Sequence, residues 1–506
     1  MKSIVRISLF CCALLAVMSG CQKDPMSRAS ERTGWKYNDP NQGFFSVKSE
    51  YVRKVPAGMV YVPVTSTVIG QNGEMMSMQN NNIKRRASAS GFYMDIYEVT
   101  NMNWREYVDW LSQVYRYDPF KVVVALPDET VWRKELGYNE PLMDNYYSHV
   151  AFSFYPVVGV SWKQAEAYCQ WRTDRLNELE LVRNGVITYT PLNELCEMVR
   201  EAGDSTENIV FTTKHARDYA YYQAQNSEYG PDLRYDTDGD EDVSPREYGV
   251  VIDGMLYDAA CRLPTELEWE YAAYGNPSIN GNEYYETHSY PWSGAQLRDL
   301  HAKKEDKGKF MANFMRGRGT VVGQDVNNTL TVPVTYFQPN AFGLYNMAGN
   351  VNEWVLDVYR ATTSPVDEIN SFRGNKFESD SVYADQMIQK YFPNLDEITE
   401  ADKDSMRRLM IAERGFTKVG GDFRDFKDGD ILSSLGDSVL VYKDATPIER
   451  ANMISNTARV YKGGSWKDRA MWLNPSMRRS LEETKCRSDI GFRCVMSIVG
   501  GNEFNH

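Results

Sequence analysis

Histidine is scarce in this chain: 506 residues hold 5. That argues against a multi-histidine metal centre. Basic surface is missing too. Lys and Arg number 56 against 69 Asp and Glu, a formal net charge of −13, and the longest basic cluster is Lys84-Arg85-Arg86. Phosphate-backbone binding needs a positive stripe, so nucleic acid is not an expected partner. There is no Gly-x-Gly-x-x-Gly, Walker loop or Gly-x-Ser-x-Gly elbow, which argues against dinucleotide, P-loop and α/β-hydrolase chemistry. No fixed-period repeat occurs, and beyond the N-terminus no apolar run reaches the ~20 residues that cross a bilayer.

What is present reads as a folded body. Hydrophobic residues make 42% and charged residues 25%, ordinary for globular chains. The 33 Tyr and 11 Trp can bury area while satisfying a polar tip, which suits loop-rich cores and interfaces. Length alone suggests roughly three domains at about 150 residues each.

The N-terminus reads as an address. Lys2 and Arg6 precede the apolar run Ile7 to Met18, and Met18-Ser19-Gly20-Cys21 follows. Small residues before a cleavage point mark a signal peptide, here residues 1–20. A cysteine directly after them resembles a bacterial lipobox with Cys21 as the lipidated residue. Cys11 and Cys12 then leave with the signal, and Cys169, Cys196, Cys261, Cys486 and Cys494 remain. An oxidising compartment permits disulfides among them, and the odd count leaves at least one thiol outside any intrachain pair. Residues 21–54 form a lipidated arm with Trp35, Tyr37, Phe44 and Phe45.

Three helices can be placed. Thr100 is an N-cap before Trp104, Tyr107, Val108 and Leu111. Ser161 with Gln164 makes a capping box before Trp162, Ala165, Cys169 and Leu176. Thr265 with Glu268 repeats that box before Leu267, Tyr271 and Tyr274. Each is expected to pack one face on the core. Met59–Val64, Val250–Ile252 and Thr331–Tyr336 read as β runs, and the charge-rich 396–408 run as a solvated or partner-facing helix. The acidic run from Asp236 through Asp238, Asp240 and Glu241 to Glu247 matches an EF-hand loop at positions 1, 3, 5 and 12, with Glu241 at the position that favours glycine. Calcium binding and a solvated charge run are both open readings of it.

Several ordered segments resemble one family. They are Phe92-Tyr93-Met94-Asp95 with Tyr97-Glu98-Val99-Thr100-Asn101; Tyr155-Pro156-Val157-Val158-Gly159-Val160-Ser161-Trp162 with Ala167-Tyr168-Cys169; and Arg262-Leu263-Pro264-Thr265-Glu266 through Ala273. Phe342-Gly343-Leu344-Tyr345-Asn346-Met347-Ala348-Gly349-Asn350-Val351 with Glu353-Trp354, Lys462-Gly463-Gly464-Ser465-Trp466 and Gly491-Phe492-Arg493-Cys494 complete the series. Together they resemble the formylglycine-generating enzyme (sulfatase-modifying factor) family over about 55–497, with a tail at 498–506. The resemblance implies an α+β fold, C-type-lectin-related, with little regular secondary structure. Two large insertions, about 176–260 and 360–458, depart from it. The insertions and the Thr33-Gly34-Trp35 arm resemble GldJ- and GldK/PorK-type lipoproteins of Bacteroidota gliding motility and type IX secretion, the arm favouring the J type.

The resemblance also implies chemistry. Family enzymes oxidise a substrate cysteine with O₂ on copper held by two cysteines, and those positions here are Asp468 and Leu473. Neither supplies the soft thiolate that Cu(I) prefers, so the expectation is no copper and no enzyme, with Asp468 a surface carboxylate. Cys169 and Cys494 match the family's paired cysteines, a crosslink that loop-entropy models value at roughly 4–5 kcal/mol. Asn350 and Glu353 match residues near structural calcium. The expected role is an outer-membrane lipoprotein facing the periplasm, a structural part of the secretion and gliding machinery with ring lipoproteins and periplasmic ring components as partners. The alternatives are a calcium-dependent lectin-like binder and an enzyme of altered chemistry.

Overall fold

The structure, a computed structural model, describes residues 32–35, 54–71, 82, 84–133, 137–185, 187–202, 209–214, 216, 256–257, 259–275, 289–292, 296–300, 307–316, 330–359 and 457–498. The contacts divide the chain into two compact units. The larger comprises residues 57–171 and 259–498, the smaller residues 1–56, 172–258 and 499–506.

Among the described residues the larger unit holds two four-stranded sheets and a hairpin. In the first sheet β1 (Met59–Val62), β4 (Phe92–Asp95), β10 (Val495–Ser497) and β5 (Cys261–Arg262) lie in that spatial order, all antiparallel. The last described strand thus sits inside the sheet, between β4 and β5. In the second, β8 (Arg479–Glu482), β7 (Ala458–Lys462), β6 (Asn352–Val358) and β9 (Ile490–Gly491) follow one another, β6 and β9 parallel. The hairpin pairs β2 (Thr65–Ile69) with β3 (Arg85–Ala89). The run expected from Met59 to Val64 ends as a strand at Val62.

The capping signals are realised. α1 (Asn101–Val114) starts at Thr100, whose side chain accepts from Asn103 N while Asn103 returns a bond to the Thr100 N–H. Trp104, Tyr107 and Leu111 are buried, Val108 only partly. The short α2 (Pro119–Ala125) and α3 (Glu140–Asn145) follow. In α4 (Trp162–Arg183) the Ser161 N–H donates to Gln164 Oε1 at 2.8 Å. α5 (Leu192–Ala202) belongs to the smaller unit, where Asn177 Nδ2 donates to Thr213 Oγ1 and Asn177 Oδ1 accepts from Tyr257 N.

α6 (Glu266–Tyr274) departs from the amphipathic expectation: all nine residues are buried. Its three glutamates survive burial because each meets a cation. Lys462 Nζ reaches Glu266 at 3.0 Å and Glu270 at 2.8 Å, Arg478 Nε reaches Glu266 at 2.7 Å, and Arg262 holds Glu268 with two bonds. A buried carboxylate is tolerable only when paired and hydrogen-bonded.

Residues 331–336 form no strand; they run as irregular chain and turn. Their N–H groups go elsewhere, Val332 to Asn350 Oδ1 and Val334 to the Phe154 carbonyl, and Pro333 has none to donate. The expected run at 250–252 and helix at 396–408 lie outside the described residues. Among the described residues no helix is long and apolar enough to cross a membrane.

Candidate functional site

The Gly463-Gly464-Ser465 turn leaves β7 and touches both positions of interest, Leu473 through Gly464 and Asp468 through Ser465. Gly464 has φ +71, and a Cβ there would lie 2.8 Å from the Trp472 carbonyl and 2.9 Å from Leu473 Cδ2. Only glycine permits that approach in that backbone conformation. Leu473 closes the following 3₁₀ turn (Ala470–Leu473) and is fully buried among Ala312, Phe314 and Ala348.

Asp468 is not the expected surface carboxylate. It is buried and clamped by Arg479, with Nη1 to Oδ1 at 2.6 Å and Nη2 to Oδ2 at 2.8 Å. Ser465 Oγ donates to Oδ2 at 2.6 Å and Asn352 Nδ2 at 3.0 Å. A second buried carboxylate, Asp489, lies beside it, held by Arg487 through two bonds at 2.9 Å. Burial would push the Asp468 carboxyl up, but the Arg479 bonds and charge, with Ser465 and Asn352, hold it below the usual range. The site therefore keeps a fixed negative charge and is a poor proton acceptor. Its stabilising contribution is complete above the unfolded pKa and is lost as pH falls through the depressed folded value.

Deeper lies a second network. Glu353 and Arg493 are fully buried and paired through two bonds at 2.6 and 2.7 Å, and Trp269 Nε1 donates to Glu353 at 2.7 Å. Glu98 accepts from Asn346 and Asn350. Burial, with the Glu353 charge adding and Arg493 opposing, raises the Glu98 carboxyl to about 7.

These contacts test the implied metals. Both Glu353 oxygens already face donors, one of them a guanidinium, and Asn350 Oδ1 accepts from Val332 N at 2.9 Å. That donor set does not fit calcium, which wants uncommitted oxygens. A carboxylate bound to arginine beside a leucine does not fit Cu(I). The acidic loop Asp236, Asp238, Asp240, Glu247 and the lipidation residue Cys21 lie outside the described residues.

Cys169 and Cys494 do meet: their sulfurs are 3.3 Å apart, buried, across 325 residues of chain. Oxidation of the purified protein is expected to join them, giving a peptide pair linked through Cys169 and Cys494 by mass spectrometry under non-reducing conditions. Their recovery as two separately alkylated cysteines after oxidation would contradict the pairing. Cys486 is a poor alternative partner. Burial, with Asp128 at 3.6 Å, pushes its thiol up to about 12 and suppresses the reactive thiolate.

A cavity of about 440 Å³ is walled in part by Met311, Asn313 and Arg316. Trp292, Phe310, Tyr336 and Phe337 line it together with Asp299, Lys309, Arg316 and Asn346. Met315 N donates to the Asp468 carbonyl at 2.8 Å, so one segment connects the cavity wall to the carboxylate cluster. Sequence reasoning identified Asp468, Leu473, Asn350 and Glu353. It missed Arg479, Asn352, Asp489 and the aromatic cavity, because what gathers them is the fold: Asn352 lies 116 residues from Asp468 and 137 from Asp489. The Glu353 and Asn350 environment could have been sought through Arg493, which the Gly-Phe-Arg-Cys motif already contained.

The sulfatase-modifying factor enzyme 1-like domain matches residues 46–498, and the chain belongs to that family. The mouse formylglycine-generating enzyme is 23% identical over 335 residues, 62% of this chain and 60% of the mouse protein. The Thermomonospora curvata enzyme of the same name is 39% identical over 118 residues, 22% of this chain and 33% of its own length. The chain thus spans about 60% of the length of the mouse relative. Among solved structures, Treponema denticola variable protein 1 is 17% identical, covers 87% of this chain and 95% of its own, and has a TM-score of 0.35, too low to add to the assignment.

The relatives correct one expectation. The missing thiols predicted that the chain is no enzyme, yet it belongs to an enzyme family and matches proteins named formylglycine-generating enzymes. Asp468 and Leu473 describe two positions and their ligand chemistry. They do not set the chain apart from enzymes.

Proposed function

We propose that this chain is an outer-membrane lipoprotein whose formylglycine-generating-enzyme-like domain serves as a structural component of the type IX secretion and gliding machinery. The single structural observation behind this reading is an exposed apolar surface among the described residues. On α2, Phe120 is 73% exposed, Val123 61% and Val124 53%. Contiguous exposed apolar side chains of this kind mark interaction sites on soluble bodies. The Cys21 lipobox and the segments resembling gliding and secretion lipoproteins support the membrane and the machinery. The partners in this reading are ring lipoproteins and periplasmic ring components.

The test is affinity isolation of tagged protein from native envelopes. Wild type is expected in the outer-membrane fraction, bringing down secretion-ring components. Cys21→Ala is expected to move to the soluble fraction. Wild-type protein that is never lipidated, or that comes down without ring components under crosslinking, would contradict the proposal.

A further inference from the structure

We infer that Lys462 and Asn82 are the two ends of an intramolecular isopeptide bond, with Glu270 carrying protons between them. Lys462 is the last residue of β7, Asn82 lies shortly before β3, and Glu270 on α6 touches both. Glu270 Oε2 accepts from Lys462 Nζ at 2.8 Å and from Asn82 Nδ2 at 3.2 Å. One oxygen therefore contacts both the attacking nitrogen and the nitrogen that leaves. The Lys462 side chain has no exposure, and Glu270 and Asn82 are buried. Holding reactants side by side turns a bimolecular encounter into an intramolecular step, and the dry setting keeps water from competing.

The charges of the cluster suit the reaction. Arg478 Nε holds Glu266 at 2.7 Å, so that carboxylate has its own cation. Lys462 and Glu270 are then the pair that can neutralise each other by proton transfer without leaving a net charge. A desolvated, neutral lysine amine is a nucleophile. Carboxylates repel such an attack, so the Asn82 amide is the electrophile of the cluster. Asn82 Nδ2 also donates to the Ser476 carbonyl at 2.8 Å, but Oδ1 has no hydrogen-bond partner among the described residues. A buried acceptor in that state is unfavourable. Once Glu270 carries a proton it becomes a donor beside that amide, and a bond to Oδ1 would polarise the carbonyl toward attack.

The step balances without an oxidant or cofactor. Lys462 Nζ gives one proton to Glu270 and forms a bond to Asn82 Cγ. A second Nζ proton passes over the Glu270 carboxyl to Nδ2, the Cγ–Nδ2 bond breaks, and ammonia leaves. The third Nζ hydrogen stays on the new amide and Glu270 stays neutral, with Gly70 N still donating to its Oε1. Until the bond forms, Lys462 remains the cation of the cluster. Once formed, the bond ties the hairpin end to the end of β7.

The test is mass spectrometry of the purified full-length protein after prolonged incubation at neutral pH. Wild type is expected to be lighter than its sequence mass by one ammonia, and digestion is expected to yield a branched peptide joining residues 82 and 462. Lys462→Arg keeps a cation but is expected to show neither. Glu270→Gln is expected to slow bond formation about a hundredfold or more. Wild type whose peptides containing residues 82 and 462 are recovered only as separate linear species overturns the inference, whatever the folding of the variants. So does a branched peptide that forms in Glu270→Gln at the wild-type rate, or one that persists in Lys462→Arg.

Discussion

Arg493→Met should destabilise the larger unit by about 3–5 kcal/mol, read as a fall in the chemical-denaturation midpoint. The arginine is fully buried, and it makes two bonds to Glu353 and one each at 3.1 and 2.8 Å to the Asp95 and Tyr345 carbonyls. It ties β10's approach to β6 and to the loop ahead of α1. Methionine fills similar volume but strands the Glu353 carboxylate in a dry interior, where an unpaired charge is far less favourable than a lost hydrogen bond. Arg493→Met with Glu353→Gln should recover part of the loss, because the stranded charge is gone. Equal destabilisation in the single and double variants would contradict an ion-pair origin. Glu98 adds a pH signature to the same network. Its folded pKa of about 7 lies above its ordinary 4.5. The folded state therefore holds an extra proton between those values, and this group's contribution to stability falls as pH rises through that window.

The second large effect is expected at Lys462→Met, again about 3–5 kcal/mol. Lys462 Nζ bridges Glu266 and Glu270 with no exposure of its side chain. Glu270 also accepts from Gly70 N and Asn82 Nδ2, so the cluster anchors the hairpin end to α6. Removing the cation leaves two carboxylates with Arg478 as the remaining ion-pair partner of Glu266. The pH direction is opposite to that of Glu98. Burial would raise Glu266, but Arg478 and Lys462 lower it to about 2. Its contribution is complete above about 4.5 and disappears as pH falls toward 2. In Lys462→Met that acid-sensitive step should shrink. An unchanged acid-unfolding profile would show that Lys462 does not hold Glu266 ionised.

These two networks mark the limit of what could be read along the chain. Local signals transferred well. Capping pairs such as Thr100 with Asn103 and Thr265 with Glu268 lie within one helical turn, so the residues alone announce them. Non-local pairings did not transfer. Glu353 and Arg493 are 140 residues apart, and Lys462 and Glu266 196. Nothing in the local pattern distinguishes α6 from an amphipathic helix until its partners are in place. The same reason explains Asp468. Exposed carboxylates are the default for Asp; Ser465 is three residues away, but only the fold brings Arg479 and Asn352 around it. The irregular 331–336 segment misled because alternating apolar residues mimic a strand, while Asn350 takes the N–H of Val332.

The central claim, a structural role exercised through the α2 surface, is tested most directly by one measurement. In cells lacking the native gene, Phe120→Ser/Val123→Ser/Val124→Ser is compared with wild type for ring co-isolation and for secretion of a type IX cargo. The account predicts wild-type abundance and melting temperature, loss of ring co-isolation, and secretion reduced about tenfold or more, the size expected when an interface loses its central anchors. Wild-type secretion and unchanged co-isolation by that variant would contradict it.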